Sequence, residues 1–277
     1  MSVDRKQEWD LLLDRPEAEI DLGRGALLLA RNEYPDINLE AQISRLDGLA
    51  ARAAPGVDAQ REPLARLDAL CRFLAEECGF HGDEQDYHDP RNSFLNQVLD
   101  RRTGIPISLS VVYMEVGRRL GLPLYGVGLP GHFLVKYLHI GQRIYLDPFH
   151  GGRKVSAAQC REMVERIYNG QMEFREDFLA AVTKRKILLR MLNNLRGIYL
   201  GQQQFRKALQ VLETILAISP ASAPDLKQRG MLHWRLHHYR QARRDLEKCL
   251  SLDPRAADAA EVEKSLTELK RASALLN

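Results

Sequence analysis

The chain has 277 residues and a mass of 31.6 kDa, a length that fills one large domain or two ordinary ones. Apolar residues make up 45% and charged residues 28%, and no apolar run approaches the roughly 20 residues that span a bilayer, so disorder and membrane spanning are disfavoured. The start of the chain lacks the pattern of a signal peptide, and we expect a cytoplasmic protein. The scattered cysteines form no CxxC pair, which argues against disulfides or a cysteine-based zinc site. They are Cys71, Cys78, Cys160 and Cys249.

The net charge of +3 hides an asymmetry along the chain. From Val182 onward there are 18 basic and 9 acidic residues, whereas the preceding part holds 22 basic and 28 acidic residues. This contrast predicts two domains with different surfaces. The basic part would attract an acidic partner or nucleic acid, or the two parts would complement each other.

Helical patterns dominate the N-terminal part of the chain. Apolar residues recur at helical spacing in 16–30, 39–49 and 63–80. Cys71 and Cys78 fall within the third segment, and we interpret both as small core residues rather than reactive thiols.

The composition changes after residue 80, and β-forming residues become frequent. A helix is predicted over 108–120, with Gly121 as its C-cap. Turn residues at 139–142 would join the last two strands in a hairpin. The strands are predicted at 124–128, 133–137 and 143–147.

A histidine and an aspartate on this hairpin form the main candidate site. His132 on one strand and Asp147 on its antiparallel neighbour could form a hydrogen bond that fixes the imidazole tautomer. A nucleophile would be expected at the start of the preceding helix, where the helix dipole favours an anion. Residues 105–110 offer two hydroxyls there, including that of Ser108, and no thiol.

The last third of the chain contains an internal repeat. Pro220 and Pro254 are 34 positions apart. The same offset relates Phe205 to Tyr239, Ala208 to Ala242 and Leu212 to Leu246. This period resembles the tetratricopeptide repeat, a helix-turn-helix unit, although Arg229 replaces an expected apolar residue. We expect 182–277 to form two repeats plus a capping helix over 258–276.

Four motifs carry a further resemblance. They are Asn-Ser-Phe-Leu at 92–95, Arg-Thr-Gly-Ile-Pro-Ile-Ser-Leu-Ser at 102–110, Pro-Gly-His-Phe-Leu at 130–134 and Asp-Pro-Phe at 147–149. They resemble the SirB branch of the transglutaminase-like superfamily, in which such a core precedes tetratricopeptide repeats. The resemblance implies an α+β fold: N-terminal helices in 1–80, a papain- or transglutaminase-like core in 81–181, and an all-α tetratricopeptide-repeat domain.

The resemblance also assigns site residues. His132 and Asp147 match the catalytic His and Asp of the superfamily, but Pro106 stands where its nucleophilic Cys would be. Ser108 would have to replace that thiol, and a serine needs a stronger base than a thiol does. The residues expected around the pocket are Asn92, Asn96, Arg102, Pro106 and Gly131.

Two functions follow from these patterns. The first is a cytoplasmic, protein-binding scaffold or regulatory protein that lacks the catalytic Cys and binds a protein or peptide through its repeats. The alternative is a hydrolase or acyl transferase that uses His132 and Asp147 with Ser108 or a bound water. Several His and Asp side chains could ligate a metal, but no tight ligand spacing supports one, and we expect no metal or cofactor. They are Asp86, His88, Asp89, His132, Asp147 and His150. Nucleic-acid binding by the basic part is disfavoured because no aromatic residues accompany the charges of 183–186.

Overall fold

The computed structural model describes residues 3–139 and 141–274. Ile140, in the predicted hairpin turn, and Leu276, in the predicted capping helix, lie outside these residues. The helices are α1 (Val3–Leu13), α2 (Leu22–Ala30), α3 (Leu39–Asp58), α4 (Pro63–Arg72), α5 (Leu95–Arg101), α6 (Pro106–Arg119), α7 (Ala157–Ile167), α8 (Lys184–Gly201), α9 (Phe205–Ile218), α10 (Ala223–Arg235), α11 (Tyr239–Leu252) and α12 (Ala259–Ala274). The strands are β1 (His81–Gly82), β2 (Thr103–Gly104), β3 (Leu124–Val127), β4 (Leu134–His139), β5 (Gln142–Asp147) and β6 (Arg153–Val155). Within the described ranges, no helix combines the length and the apolar character that crossing a bilayer requires.

The chain divides into two compact units. One comprises 15–191, and the other combines α1 with the chain from Leu192 onward. The division falls inside α8 rather than at residue 182, where the charge changes sign, because α8 continues without a break from Lys184 to Gly201. Helix α1, which the sequence grouped with the core, joins the repeats because it packs against α9.

The first unit has the expected α+β character. Strands β3 to β6 form an antiparallel sheet in sequential order, and β1 pairs with β2 in a separate parallel pair. The predicted hairpin is β4 and β5, paired from Val135 opposite Leu146 to His139 opposite Gln142. These pairings bring Asp147, the last residue of β5, to the end of the sheet at which β4 begins.

Helix α6 lies at the centre of this unit. It starts at Pro106, two residues before the predicted start, because proline at the first helical position lacks only an N–H that would be unpaired there. Its residues are buried from Pro106 to Gly117, which is the pattern of a helix surrounded by protein on all sides. The buried Glu115 carboxylate accepts hydrogen bonds from Arg118 at 3.1 Å and Arg119 at 2.6 Å, so its charge is paired.

The second unit shows the predicted repeat. Helices α9 and α11 each have 14 residues and begin at the equivalent residues Phe205 and Tyr239. Helices α10 and α11 approach closely at Gly230, where a Cβ atom would lie 2.9 Å from Leu246 Cδ2. A larger residue at this position would push the two helices apart. Helix α12 follows α11 and packs against it.

Candidate functional site

The predicted His–Asp hydrogen bond is present. His132 Nε2 lies 3.0 Å from Asp147 Oδ1. The sequence placed His132 on a strand, but it lies two residues before β4 begins. It closes a turn there, because its backbone N–H donates to Leu129 O at 3.0 Å. Arg190 fixes this turn by donating to Leu129 O at 2.9 Å and to His132 O at 2.6 Å. The imidazole is therefore held from both its ring and its backbone.

Asp147 has more partners than the sequence indicated. Its carboxylate is fully buried and also accepts from His150 Nδ1 at 2.7 Å, while Arg153 Nη2 lies 3.5 Å from Oδ2. Burial raises the pKa of Asp147, but the hydrogen bonds and charges of His132 and His150 lower it further, and the net pKa lies below the usual value. Asp147 is therefore a carboxylate at neutral pH.

The position of His150 follows from the chain after β5. Residues Pro148–His150 form a single 3₁₀ turn that brings position i+3 back to Asp147. Gly151 and Gly152, both with positive φ, then reverse the chain into β6, which carries Arg153. The Asp-Pro-Phe-His-Gly-Gly run could have indicated this turn, although it does not identify the carboxylate as its centre.

A cavity of about 270 Å³ opens beside the two histidines. His132 is 12% exposed and His150 is 37% exposed. The lining residues come from the His132 turn, the chain after β5, β6 and α7: His132, His150, Arg153, Met163, Arg166 and Ile167. The imidazoles are thus accessible to a small molecule while their carboxylate partner is sealed from solvent.

Ser108 does not complete the predicted triad. Its side chain is fully buried, and its Oγ donates to Asn92 O at 2.6 Å and accepts from Ile105 N at 3.1 Å. The hydroxyl therefore satisfies backbone groups where α6 begins. Its hydrogen bonds do not include one to His132, so the Ser108 nucleophile is a correction to the sequence-based triad.

The predicted pocket residues do not line this cavity. Asn92 is fully buried and braces a loop, because its Nδ2 donates to Asp86 O at 2.8 Å and to Asp83 Oδ2 at 3.0 Å. Arg102 ends α5 with a φ of 60° and lies over the Phe80 ring, 4.7 Å from its centroid. Asn96 and Pro106 are also buried in helices.

Gly131 is nearer to the cavity. It has a φ of 72°, and a Cβ atom there would lie 2.6 Å from Cγ2 of the lining residue Ile167. Sequence reasoning missed Met163, Arg166 and Ile167, because α7 reaches the site only through the tertiary fold.

All four cysteines are free thiols, and their environments disfavour thiolates. Burial raises the pKa of Cys71 to about 12 and that of Cys160 to about 11. It also raises the pKa values of Cys78 and Cys249. Cys71 is buried, in agreement with its interpretation as a small core residue, whereas Cys78 is only partly buried.

Among the described residues, one group has the geometry to hold a metal ion. It consists of His132, Asp147 and His150, whose ligand atoms lie within 4.8 Å of one another. Two imidazoles and a carboxylate match the donors that zinc accepts. Arg153 shares the carboxylate, however, and its charge opposes a cation there. Of the other predicted ligands, Asp89 instead pairs with Arg91 at 2.7 Å.

Comparison with known proteins agrees with this architecture. A model of the transglutaminase-like superfamily matches residues 40–193, more than half of the chain, and a tetratricopeptide repeat model matches 195–267. The chain therefore belongs to the transglutaminase-like superfamily and carries tetratricopeptide repeats after that core.

Individual relatives extend across both regions. A UPF0162 protein of Xylella fastidiosa (strain 9a5c) is 34% identical over 264 residues, covering 94% of each chain. A UPF0162 protein of Vibrio cholerae is 31% identical over 237 residues, 85% of this chain and 87% of its own. F-box only protein 21 of Homo sapiens is 30% identical over 237 residues, 75% of this chain and 36% of that protein. The solved structure of menin gives a weaker match, with a TM-score of 0.42 and 10% identity over 90% of this chain and 69% of menin.

Proposed function

We propose that this protein is a cytoplasmic scaffold in which the repeat unit binds a peptide segment of a partner protein, and the transglutaminase-like core acts without a thiol nucleophile. The observation that carries the proposal is a pair of adjoining cavities on the repeat unit. The four cysteines of the chain are free thiols, as they would be in the reducing cytoplasm that we propose. We also infer, from the four motif strings, that the chain belongs to the SirB branch.

The two cavities share Gln228 and Met231 on α10 and therefore adjoin each other. The first has a volume of about 540 Å³, and the second has a volume of about 560 Å³. The second is lined mainly by apolar and aromatic side chains, among them Leu200, Phe205, Trp234 and Tyr239. A surface of this kind accepts apolar side chains of an extended or helical peptide.

Charges in the first cavity indicate the rest of the partner. Asp225 is paired with Arg196, and Asp258 accepts from Lys227 at 2.7 Å. Asp253 also lines the cavity and forms no ion pair among the described residues. A peptide with an apolar anchor and a neighbouring basic residue would therefore complement the surface.

Met231 is the best position for a test. It is a large apolar side chain that is 38% exposed, and it lines both cavities. A benzophenone amino acid at Gln228 of the full chain would cross-link the partner in cells, and a synthetic peptide spanning the cross-linked segment would then be titrated against purified protein. We expect Met231→Glu to lower the affinity for that peptide by at least about tenfold, because a charge buried by the bound peptide replaces an apolar contact.

Arg240→Glu provides the matched control, since Arg240 is exposed on α11 and lines neither cavity. Its affinity should stay within about twofold of the unmodified protein. The proposal would be abandoned if the peptide bound both variants equally, or if benzophenone at Gln228 captured nothing beyond what it captures at Arg240.

A second candidate is a hydrolase or acyl transferase that uses a bound water. The specific observation in its favour is that His132 faces a cavity while bonded to a buried carboxylate, the arrangement of a general base. Ser108 has no part in this version. Hydrolysis of a panel of acyl esters and amides that disappears in His132→Ala would support the enzyme, and turnover unaffected by that substitution would rule it out.

A further inference from the structure

Arginine and histidine side chains make up most of the lining of the cavity beside His132. Two arginines and two histidines contribute to its wall, together with the apolar side chains of Met163 and Ile167. Among the described side chains, Glu84 is the acid besides Asp147 that forms an ion pair with one of these histidines. Its Oε1 is 3.9 Å from His150 Nε2, and its side chain is 74% exposed.

The one buried acid at the site does not present its charge to the cavity. Asp147 is fully buried, and its two oxygens are engaged by His132, His150 and Arg153. Its single negative charge is therefore offset locally by Arg153, whose guanidinium also lines the cavity. A carboxylate enclosed in this way fixes the positions of the side chains that contact it.

Arg166 adds a guanidinium that has no ion-pair partner among the described residues. It is exposed at the end of α7 and forms no ion pair with any described residue. Its neighbour on the same helix, Arg161, is placed differently, since it lies 4.0 Å from Glu176 and stacks over the Phe174 ring. Of these two arginines, Arg166 is therefore the one that brings an unpaired guanidinium to the cavity.

We infer that this cavity binds a small ligand carrying an oxyanion, either a carboxylate or a phosphate. Arg166 and Arg153 hold the oxyanion, and Met163 with Ile167 contact an apolar portion of the ligand. Guanidinium groups suit this role because their fork of N–H donors matches the oxygens of both anions. The volume of about 270 Å³ sets the size at a small metabolite or a short peptide terminus.

The same side chains fit a cation less well. A metal ion would need Asp147, which Arg153 already contacts at 3.5 Å, and it would lie beside the unpaired charge of Arg166. Repulsion between like charges favours the anion over the metal.

Isothermal titration of the full chain at constant ionic strength tests the inference. The probes are inorganic phosphate, butyrate and zinc chloride, so that one arm represents each oxyanion and one represents the competing metal. We expect phosphate or butyrate to bind. Arg166→Gln should lower the affinity for that anion by about tenfold, because it removes a charge-assisted hydrogen bond. Whichever anion binds more tightly identifies the ligand class.

Arg161→Gln is the control, because it removes the same charge from the same helix without touching the cavity lining. Its affinity for the anion should remain within about twofold. The inference is overturned if neither anion binds, if zinc alone binds, or if both arginine variants lose affinity equally. Met231→Glu should leave anion binding unchanged, so that failure here and failure of peptide binding by the repeats are separate results.

Discussion

An arginine that breaks the expected repeat pattern predicts a measurable dependence of stability on one ion pair. Arg229 on α10 occupies a position where the repeat calls for an apolar residue. Its Nε and Nη2 donate to the two oxygens of Asp245 on α11, at 2.6 and 2.7 Å. Asp245 is 4% exposed, whereas the Arg229 side chain is 23% exposed. The pair is therefore a nearly buried, two-point contact between helices.

Removal of the arginine alone should markedly lower the free energy of unfolding. Arg229→Met leaves the Asp245 carboxylate buried, with His233 Nε2 4.0 Å away as its nearest remaining basic group. Breaking a buried pair in this way costs about 3–5 kcal/mol, and we expect about 2–4 kcal/mol here because water reaches part of the arginine. In Arg229→Met with Asp245→Leu, no charge remains buried, and the free energy of unfolding should return to within about 1 kcal/mol of the original.

The placement of the tryptophans gives a selective assay. Trp9 and Trp234, the two tryptophans of the chain, both belong to the repeat unit, so their fluorescence during urea unfolding follows that unit alone. Arg240→Met, at an exposed position, should change the unfolding free energy by less than about 0.5 kcal/mol. The reasoning is refuted if Arg229→Met costs less than about 1 kcal/mol, or if the double variant is no more stable than the single one.

Three further predictions concern the core. Asp147→Asn should destabilise the protein by about 1.5–3 kcal/mol at neutral pH. Because folding lowers the pKa of Asp147, thermal denaturation should show the full difference in stability above about pH 3.9 and its loss as the pH falls through the lowered pKa. A difference that stays constant with pH would contradict this prediction. Gly131→Ala should destabilise more than Gly170→Ala in the same melting assay, since both have positive φ but only the first would contact Ile167; equal losses would show that this contact is unimportant. Cys78, the one cysteine that is not buried, should react first with a thiol reagent and more slowly than a free thiol, and simultaneous modification of a second cysteine in native protein would argue against the packing.

The repeats and the central helix could be predicted because their signals are local. A period of 34 residues marks equivalent helices wherever they pack, and the prolines mark their ends. Arg229 looked like a departure from the pattern because its partner, Asp245, lies on the next helix. A buried ion pair between helices has no periodic signature, so the sequence showed the exception without its reason.

The candidate site was only partly predictable. His132 and Asp147 stand in compact motifs next to strands, and their contact follows from strand pairing. The sequence indicates Ser108 because it lies near the start of a helix, but its hydroxyl donates to a backbone carbonyl of the neighbouring loop. Arg166 and Ile167 reach the cavity through the packing of α7, which no local pattern encodes.

The two hydrogen bonds of Arg190 affect which substitutions the His132 turn can tolerate. One guanidinium holds two backbone carbonyls of the turn, so its shape depends on main-chain atoms that every amino acid possesses. Side chains within the turn can therefore change without loss of this restraint, provided that Gly131 keeps its left-handed conformation. Arg190 itself is less replaceable, because its Nη2 donates to both carbonyls while the guanidinium plane also lies over the Phe133 ring, 5.4 Å from its centroid. The position of the imidazole is thus encoded more than fifty residues away from it in the sequence, on α8.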